Sequence, residues 1–90
     1  MQITKDLSMG FVCDKCTHES CTAIVAIGDE WATIYSIESK TEDKGHASEL
    51  LFEMKKHYEA LGKEFGSTVA LNKKMRYLLE KFQIKEYHEY

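Results

Sequence analysis

A short turn in the middle of the chain has the residue types that bind anions. Residues 44–48 read Lys-Gly-His-Ala-Ser and lie between a β-branched run and an apolar run of helical period. The first turn of a helix has backbone N–H groups without helical partners, and the helix dipole adds positive potential there. Gly45 lets the backbone approach a ligand, Ala47 leaves the next turn open, and Lys44 supplies a positive charge. The turn therefore predicts a phosphate site.

Three cysteines and a histidine form a second group of candidate ligands. Cys13, Cys16, His18 and Cys21 have the spacing Cys-x2-Cys-x-His-x2-Cys, and zinc prefers thiolate and imidazole ligands. This spacing would crowd both halves of the site into one short loop. Cys21 also opens a strand-like run, where a buried cysteine packs as a small apolar residue. We therefore expect no metal, and a zinc-binding interaction domain is the third interpretation of the chain.

The composition restricts the class of protein. Of the 90 residues, 43% are hydrophobic and 30% are charged, so we expect a single globular domain over residues 1–90. The net charge of −3 lacks the basic excess of nucleic-acid-binding proteins. No apolar run reaches the ~18–20 residues that span a bilayer, and no secretory signal accompanies the odd number of cysteines. We expect a cytoplasmic protein without disulfides that binds neither nucleic acid nor membrane.

The first half of the chain has the pattern of an antiparallel sheet. Residues 20–27 and 31–39 are rich in small and β-branched side chains and flank Gly-Asp-Glu at 28–30, which predicts a β-hairpin. Residues 10–14 predict an earlier strand of the same meander. Ile3 is the candidate start of one more strand.

The hydrophobic period then changes to that of a helix. Ser48 to Leu61 predicts an amphipathic helix, and Gly62 follows as a stop signal. Residues 66–71 predict a short strand, Asn72 caps a second helix, and residues 84–87 predict a final strand. The buried stripes are expected to contain Leu50, Leu51, Met54, Tyr58 and Leu61 in the first helix and Met75, Leu78, Leu79 and Phe82 in the second. The order β-β-β-α-β-α-β implies an α/β fold with a mixed sheet, because a β-α-β unit pairs its strands in parallel.

These elements resemble the GNAT superfamily of N-acetyltransferases over roughly residues 20–87. The resemblance is carried by Ala-Thr-Ile-Tyr-Ser-Ile-Glu-Ser, Glu-Asp-Lys-Gly-His-Ala-Ser-Glu-Leu-Leu, Val-Ala-Leu-Asn and Leu-Glu-Lys-Phe-Gln-Ile, which begin at residues 32, 42, 69 and 79. It implies a minimal GNAT-like three-layer α/β sandwich, with a mixed β-sheet and two main helices.

The resemblance also implies acetyl-CoA, the acetyl form of coenzyme A, as the cofactor. Gly45 and Ala47 match the family turn Arg/Gln-x-x-Gly-x-Gly/Ala, whose backbone amides hold the pyrophosphate, and Asn72 matches an asparagine that contacts the cofactor arm. The preceding strand would pair with the pantetheine arm through main-chain hydrogen bonds. The implied cofactor-binding residues are Ile37, Glu38, Ser39, Lys44, Gly45, His46, Ala47, Ser48 and Asn72.

The implied reaction is transfer of an acetyl group to an unidentified primary amine by direct attack in a ternary complex. A strand N–H near Ile37 or Glu38 would polarise the thioester carbonyl, and positioning would supply much of the catalysis. Glu30, Glu38 or a water would take the amine proton. Tyr87, Tyr90 or a water would protonate the departing thiolate.

Three departures from the family pattern support a second interpretation. Glu42 stands where the family has Arg or Gln, Leu79 where it commonly has the tyrosine acid, and Gln83 where it has glycine. Transfer should therefore be slow, or the chain is a non-catalytic GNAT-like module that binds coenzyme A or a protein. A sheet of this size would also leave its edges and one face poorly covered, so we expect a homodimer.

Overall fold

The fold is an α/β structure with one mixed sheet and two helices. The computed structural model describes residues 1–7, 10, 12–40, 45–68 and 73–86. The elements in chain order are β1 (Gln2–Asp6), β2 (Cys13–His18), β3 (Cys21–Ile27), β4 (Trp31–Ser39), α1 (His46–Ala60), β5 (Glu64–Ser67), α2 (Lys73–Lys81) and β6 (Lys85–Glu86). The predicted α/β class with a mixed sheet is therefore confirmed.

The strands lie in the sheet in the order of the sequence. β1 to β4 are antiparallel neighbours, β5 pairs in parallel with β4, and the two-residue β6 pairs in parallel with β5. Parallel neighbours need a crossover connection, which α1 and α2 supply. The parallel pairing expected from the β-α-β order is thus present.

The early strands differ most from the sequence-based prediction. The strand expected over residues 10–14 lies at Cys13–His18, and β1 is a further strand that the order β-β-β-α-β-α-β omits. β2 does not show the alternation of apolar and polar residues that predicts a strand. The reason is that Asp14, a charged residue, is only 6% exposed and faces α1. β5 begins at Glu64 rather than residue 66, and residues 69–71 of that prediction lie outside the described part of the chain.

The core lies between one face of the sheet and both helices. Leu50, Leu51 and Tyr58 of α1 join Leu78 and Leu79 of α2 in one buried cluster with the sheet. Right-handed crossovers that advance in one direction along a sheet place their helices on the same face. The described residues contain no further helix for the other face of the sheet.

The two helices end in the same backbone arrangement. Gly62 after α1 has φ 77° and Gln83 after α2 has φ 56°. The following residues close the ends, since Lys63 N–H donates to Tyr58 C=O and Ile84 N–H to Leu79 C=O, as in a Schellman motif. Leu61 is consequently 58% exposed, because it lies in the turn beyond the last helical residue and not in the buried stripe. None of the described helices is long and apolar enough to cross a membrane.

Candidate functional site

The carboxyl end of β4 and the amino end of α1 meet at one edge of the sheet. Ser39, the last residue of β4, pairs with Cys21, and Cys21 pairs with His18 across the β2–β3 hairpin. His46, the first residue of α1, places its Nδ1 3.0 Å from Ser20 Oγ in the same hairpin. The structure thus brings the predicted anion-binding turn beside the hairpin that contains His18.

Among the described residues, the ladder between β4 and β5 reaches only partway along β4. The last β4–β5 pair is Ile34 with Ser67, and Thr68 N–H donates to Ile34 C=O at 3.1 Å. In contrast, β3 pairs with β4 as far as Ser39. Residues 35–39, here called the outer edge of β4, therefore extend past the described end of β5. A strand edge of this kind can receive an extended ligand through main-chain hydrogen bonds.

A β-bulge separates the two halves of β4. Ile24 pairs with Ser36, whereas the next residue, Val25, pairs with Ile34, so Tyr35 is the additional residue. A bulge reverses the alternation of the residues that follow it relative to the partner strand. The bulge therefore determines which N–H and C=O groups of β4 point toward the outer edge.

The backbone of Ile37 faces this outer edge. Lys40 N–H donates to Ser20 C=O at 3.1 Å, so Lys40 faces β3, and backbone groups alternate between the two sides of a strand. The N–H and C=O of Ile37 consequently point away from β3. The side chain of Ile37 packs against the core, whereas its neighbour Glu38 is exposed on the other face of the sheet.

The amino end of α1 has the features expected of an anion site. Gly45 has a left-handed φ of 74°, and a side chain at this position would enter open space. Glu49 N–H donates to Gly45 C=O at 3.0 Å and closes the first helical bond. The N–H groups of Ala47 and Ser48 precede that bond, so they point out of the helix end.

His18 lies beside this helix end, where sequence reasoning did not place it. Its Nε2 is 3.6 Å from Glu49 Oε1, and its ring centroid is 6.1 Å from that of His46. Nε2 is buried and has no hydrogen-bond partner in the described part of the chain. The two-residue hairpin turn after His18 was the signal that could have placed it next to the end of β4.

The strand conformation separates the cysteines that the spacing groups together. Cys13 and Cys16 are three residues apart in β2, so their side chains lie on opposite faces of the sheet. They occupy a strand, and the single loop expected for them is therefore wrong. Across the described ranges, no group of three or more His, Cys, Asp or Glu residues could hold a metal ion. Burial raises the pKa of all three thiols, which include Cys21, and this favours the protonated, apolar form.

A different polar cluster lies at the carboxyl end of α1. The Asp14 carboxylate accepts hydrogen bonds from Lys5 Nζ at 2.6 Å and from Tyr58 OH at 2.8 Å. Cys16 Sγ is 3.5 Å from the same hydroxyl, and the Tyr58 ring stacks on Phe65 at 5.6 Å. Burial, followed by the contacts with Cys16 and Asp14, raises the pKa of Tyr58 far above its usual range. These groups satisfy one another, as a structural network requires.

The remaining candidates do not join the site. Glu30 precedes β4 at its opposite end, where its C=O accepts from Glu64 N–H, and about 20 Å of extended strand separates it from Ile37. Leu79 is 1% exposed in the core, and Tyr77 on the same helix is 62% exposed. The candidates that lie outside the described residues are Glu42, Lys44, Asn72, Tyr87 and Tyr90.

Comparison of the chain with protein-family models, curated proteins and solved structures finds no match.

Proposed function

We propose that the chain is a small GNAT-like N-acetyltransferase, which binds acetyl-CoA and transfers the acetyl group to a primary amine. One observation carries this proposal: β4 extends past its last described pair with β5, at Ile34, and leads toward the amino end of α1. An extended ligand with a phosphate group at one end matches this arrangement. The pantetheine arm is extended and can hydrogen-bond to main chain, and the pyrophosphate follows it.

The cofactor would lie along the outer edge of β4 with its phosphates at α1. The outward-facing C=O of Ile37 would accept a hydrogen bond from an amide of the arm, which leaves the Ile37 N–H for the thioester. The N–H groups of Ala47 and Ser48 would donate to the pyrophosphate, because Gly45 leaves the approach open. Ligands of open α/β sheets bind at the carboxyl ends of parallel strands, and this edge has that position.

The reaction would proceed by direct attack of the amine on the thioester carbon. The new C–N bond forms as the C–S bond breaks, and Ile37 N–H stabilises the charge on the carbonyl oxygen. Glu38 would take the proton of the attacking amine, since its exposed carboxylate lies next to Ile37, whereas Glu30 is too distant. A water, Tyr87 or Tyr90 would protonate the sulfur.

The backbone at Gln83 supports the alignment with the family pattern. This residue stands where the family has glycine, and its φ of 56° lies in the left-handed region that favours glycine. The alignment therefore predicts a left-handed backbone at residue 83, which a glutamine at this position does not suggest. The third layer of the family fold would be supplied by a second copy of the chain on the sheet face that carries Trp31, which is 43% exposed.

Calorimetric titration with coenzyme A tests the proposal. We expect micromolar to millimolar binding by the wild type and none by Gly45→Glu, because the new carboxylate would lie in the anion site. Gly62→Glu is the matched control, since Gly62 has the same left-handed backbone and open surroundings at the other end of α1. Absence of binding by the wild type, or an equal loss in both variants, would contradict the proposal.

A coenzyme A-binding module without chemistry is the second candidate. It is favoured by Leu79, which is buried in the core and stands where the family commonly has the tyrosine acid. Turnover of acetyl-CoA with a panel of primary amines separates the two. Binding of coenzyme A without acetylation of any amine would favour the module.

A further inference from the structure

Polar side chains from the β2–β3 hairpin lie against the first turn of α1. The rings of His18 and His46 are 6.1 Å apart in an edge-to-face arrangement. Ser20 Oγ is 3.0 Å from His46 Nδ1, which fixes the hairpin turn to the start of the helix. The contact between the β2–β3 hairpin and α1 therefore keeps His18 beside the amino end of the helix.

The neighbour of His18 Nε2 is a carboxylate that does not satisfy it. Glu49 Oε1 is 3.6 Å away, within ion-pair distance but longer than a hydrogen bond. His18 Nε2 is buried and lacks a hydrogen-bond partner among the residues described here, whereas the Glu49 side chain is 59% exposed. Buried nitrogen atoms normally have a partner. The contact thus joins the unpaired Nε2 of His18 to the carboxylate of Glu49, a side chain that can move into solvent.

We propose that His18 is a phosphate-contacting residue of the anion site, and that a bound phosphate displaces Glu49 from it. This inference rests on the proposed function, which places the phosphates of coenzyme A at the same helix end. Without ligand, a carboxylate in the first turn is stabilised by the helix dipole. A phosphate can accept from His18 Nε2–H and from the first-turn N–H groups together, and it carries more charge than a carboxylate. Glu49 is therefore an internal competitor of the ligand.

Opposite effects of two substitutions distinguish this arrangement from a structural contact. Glu49→Gln removes the competing charge and should tighten coenzyme A binding by about threefold to tenfold. His18→Leu removes a donor to the phosphate and should weaken binding by a similar factor. Glu53→Gln and His57→Leu are matched controls on α1, farther from its amino end, and should change affinity less than twofold.

The experiment is calorimetric titration of the five proteins, wild type included, with coenzyme A and with pantetheine, which has the arm without the phosphates. Pantetheine affinity should be the same for the wild type and for both test variants. Glu49 is exposed, so Glu49→Gln keeps the test valid even where His18→Leu alters the hairpin.

Three outcomes overturn the inference. Equal affinities of wild type and His18→Leu would show that His18 does not contact the phosphate, while the proposed function would stand. Equal tightening by Glu49→Gln and Glu53→Gln would show an effect of net charge alone. No binding of coenzyme A by any of the proteins would remove the proposed function and this inference together.

Discussion

Tyr58 of α1 donates a 2.8 Å hydrogen bond to the carboxylate of Asp14 in β2, across a separation of 44 residues. Asp14 is 6% exposed and Tyr58 is fully buried. The second oxygen of the carboxylate accepts from Lys5 in β1, so one acidic side chain links the edge strand, its neighbour and the helix. This network stabilises the sheet–helix interface at the end of the molecule away from the amino end of α1.

We predict that Tyr58→Phe lowers the free energy of unfolding by about 1–3 kcal/mol. The substitution retains the stacked ring but removes a hydrogen bond to a buried, charged acceptor. Urea unfolding followed by circular dichroism measures the loss. Tyr77→Phe, on an exposed tyrosine of α2, should be neutral within ~0.5 kcal/mol. Equal effects of the two variants would contradict a role for the Asp14 bond.

Alkaline pH should destabilise the protein through the same network. The pKa of Tyr58 is raised in the folded state, first by burial, and the pKa of Cys16 is raised for the same first cause. In the unfolded chain these groups ionise near pH 10 and pH 8.5. Their contribution is therefore complete below about pH 8.5 and is lost progressively as the pH rises, because only the unfolded chain releases the protons. Urea midpoints between pH 7 and pH 11 should fall more steeply for the wild type than for Tyr58→Phe; parallel curves would argue against this.

Gln83→Gly should stabilise the protein by roughly 1 kcal/mol, since glycine adopts a left-handed φ without the steric cost that other residues pay. The reciprocal change at the end of α1, Gly62→Gln, should cost a similar amount because Gly62 has φ 77°. Thermal unfolding of both variants provides the measurement. A lower melting temperature for Gln83→Gly would mean that the side chain of Gln83 contributes more than its backbone costs.

Leu79→Tyr should lower stability by about 1–3 kcal/mol, because Leu79 is 1% exposed in a packed core and the larger ring has no space there. Leu79→Met, which nearly conserves volume, should cost less than ~1.5 kcal/mol. Unfolding free energies and acetyl-CoA turnover should be measured on both. A stable Leu79→Tyr variant with faster turnover would instead place this side chain at the reacting sulfur.

The sheet face opposite the helices is predicted to form the interface of a homodimer. Light scattering on a size-exclusion column should give twice the chain mass of 10.4 kDa. Trp31→Lys, on that face, should shift the mass toward the monomer. Tyr77→Lys places the same charge on an exposed aromatic residue of α2 and should leave the mass unchanged. A wild-type protein that stays monomeric at high concentration would contradict the predicted homodimer.

The sequence by itself determined the elements whose signals are local. The strand predicted over residues 31–39 has those bounds in the structure, and the helix predicted from Ser48 begins two residues earlier. Alternation along β4 and the 3.6-residue period of α1 are produced by neighbours in the chain, so they can be read without knowledge of the fold. The glycine turn before α1 could be predicted for the same reason, because the glycine and the start of the helix are adjacent in the chain.

The tertiary structure decided the features that depend on register and on distant partners. The sequence of β2 lacks a clear strand pattern because a charged residue, Asp14, occupies a buried position. Tyr58 and Lys5 satisfy its carboxylate, and neither contact can be predicted from neighbouring residues in the chain. The β-bulge at Tyr35 and the register of the described β4–β5 pairs are properties of strand pairs. His18 faces Glu49 only because the hairpin and α1 pack on one another, so a histidine that sequence spacing assigns to a cysteine cluster lies at the helix end instead.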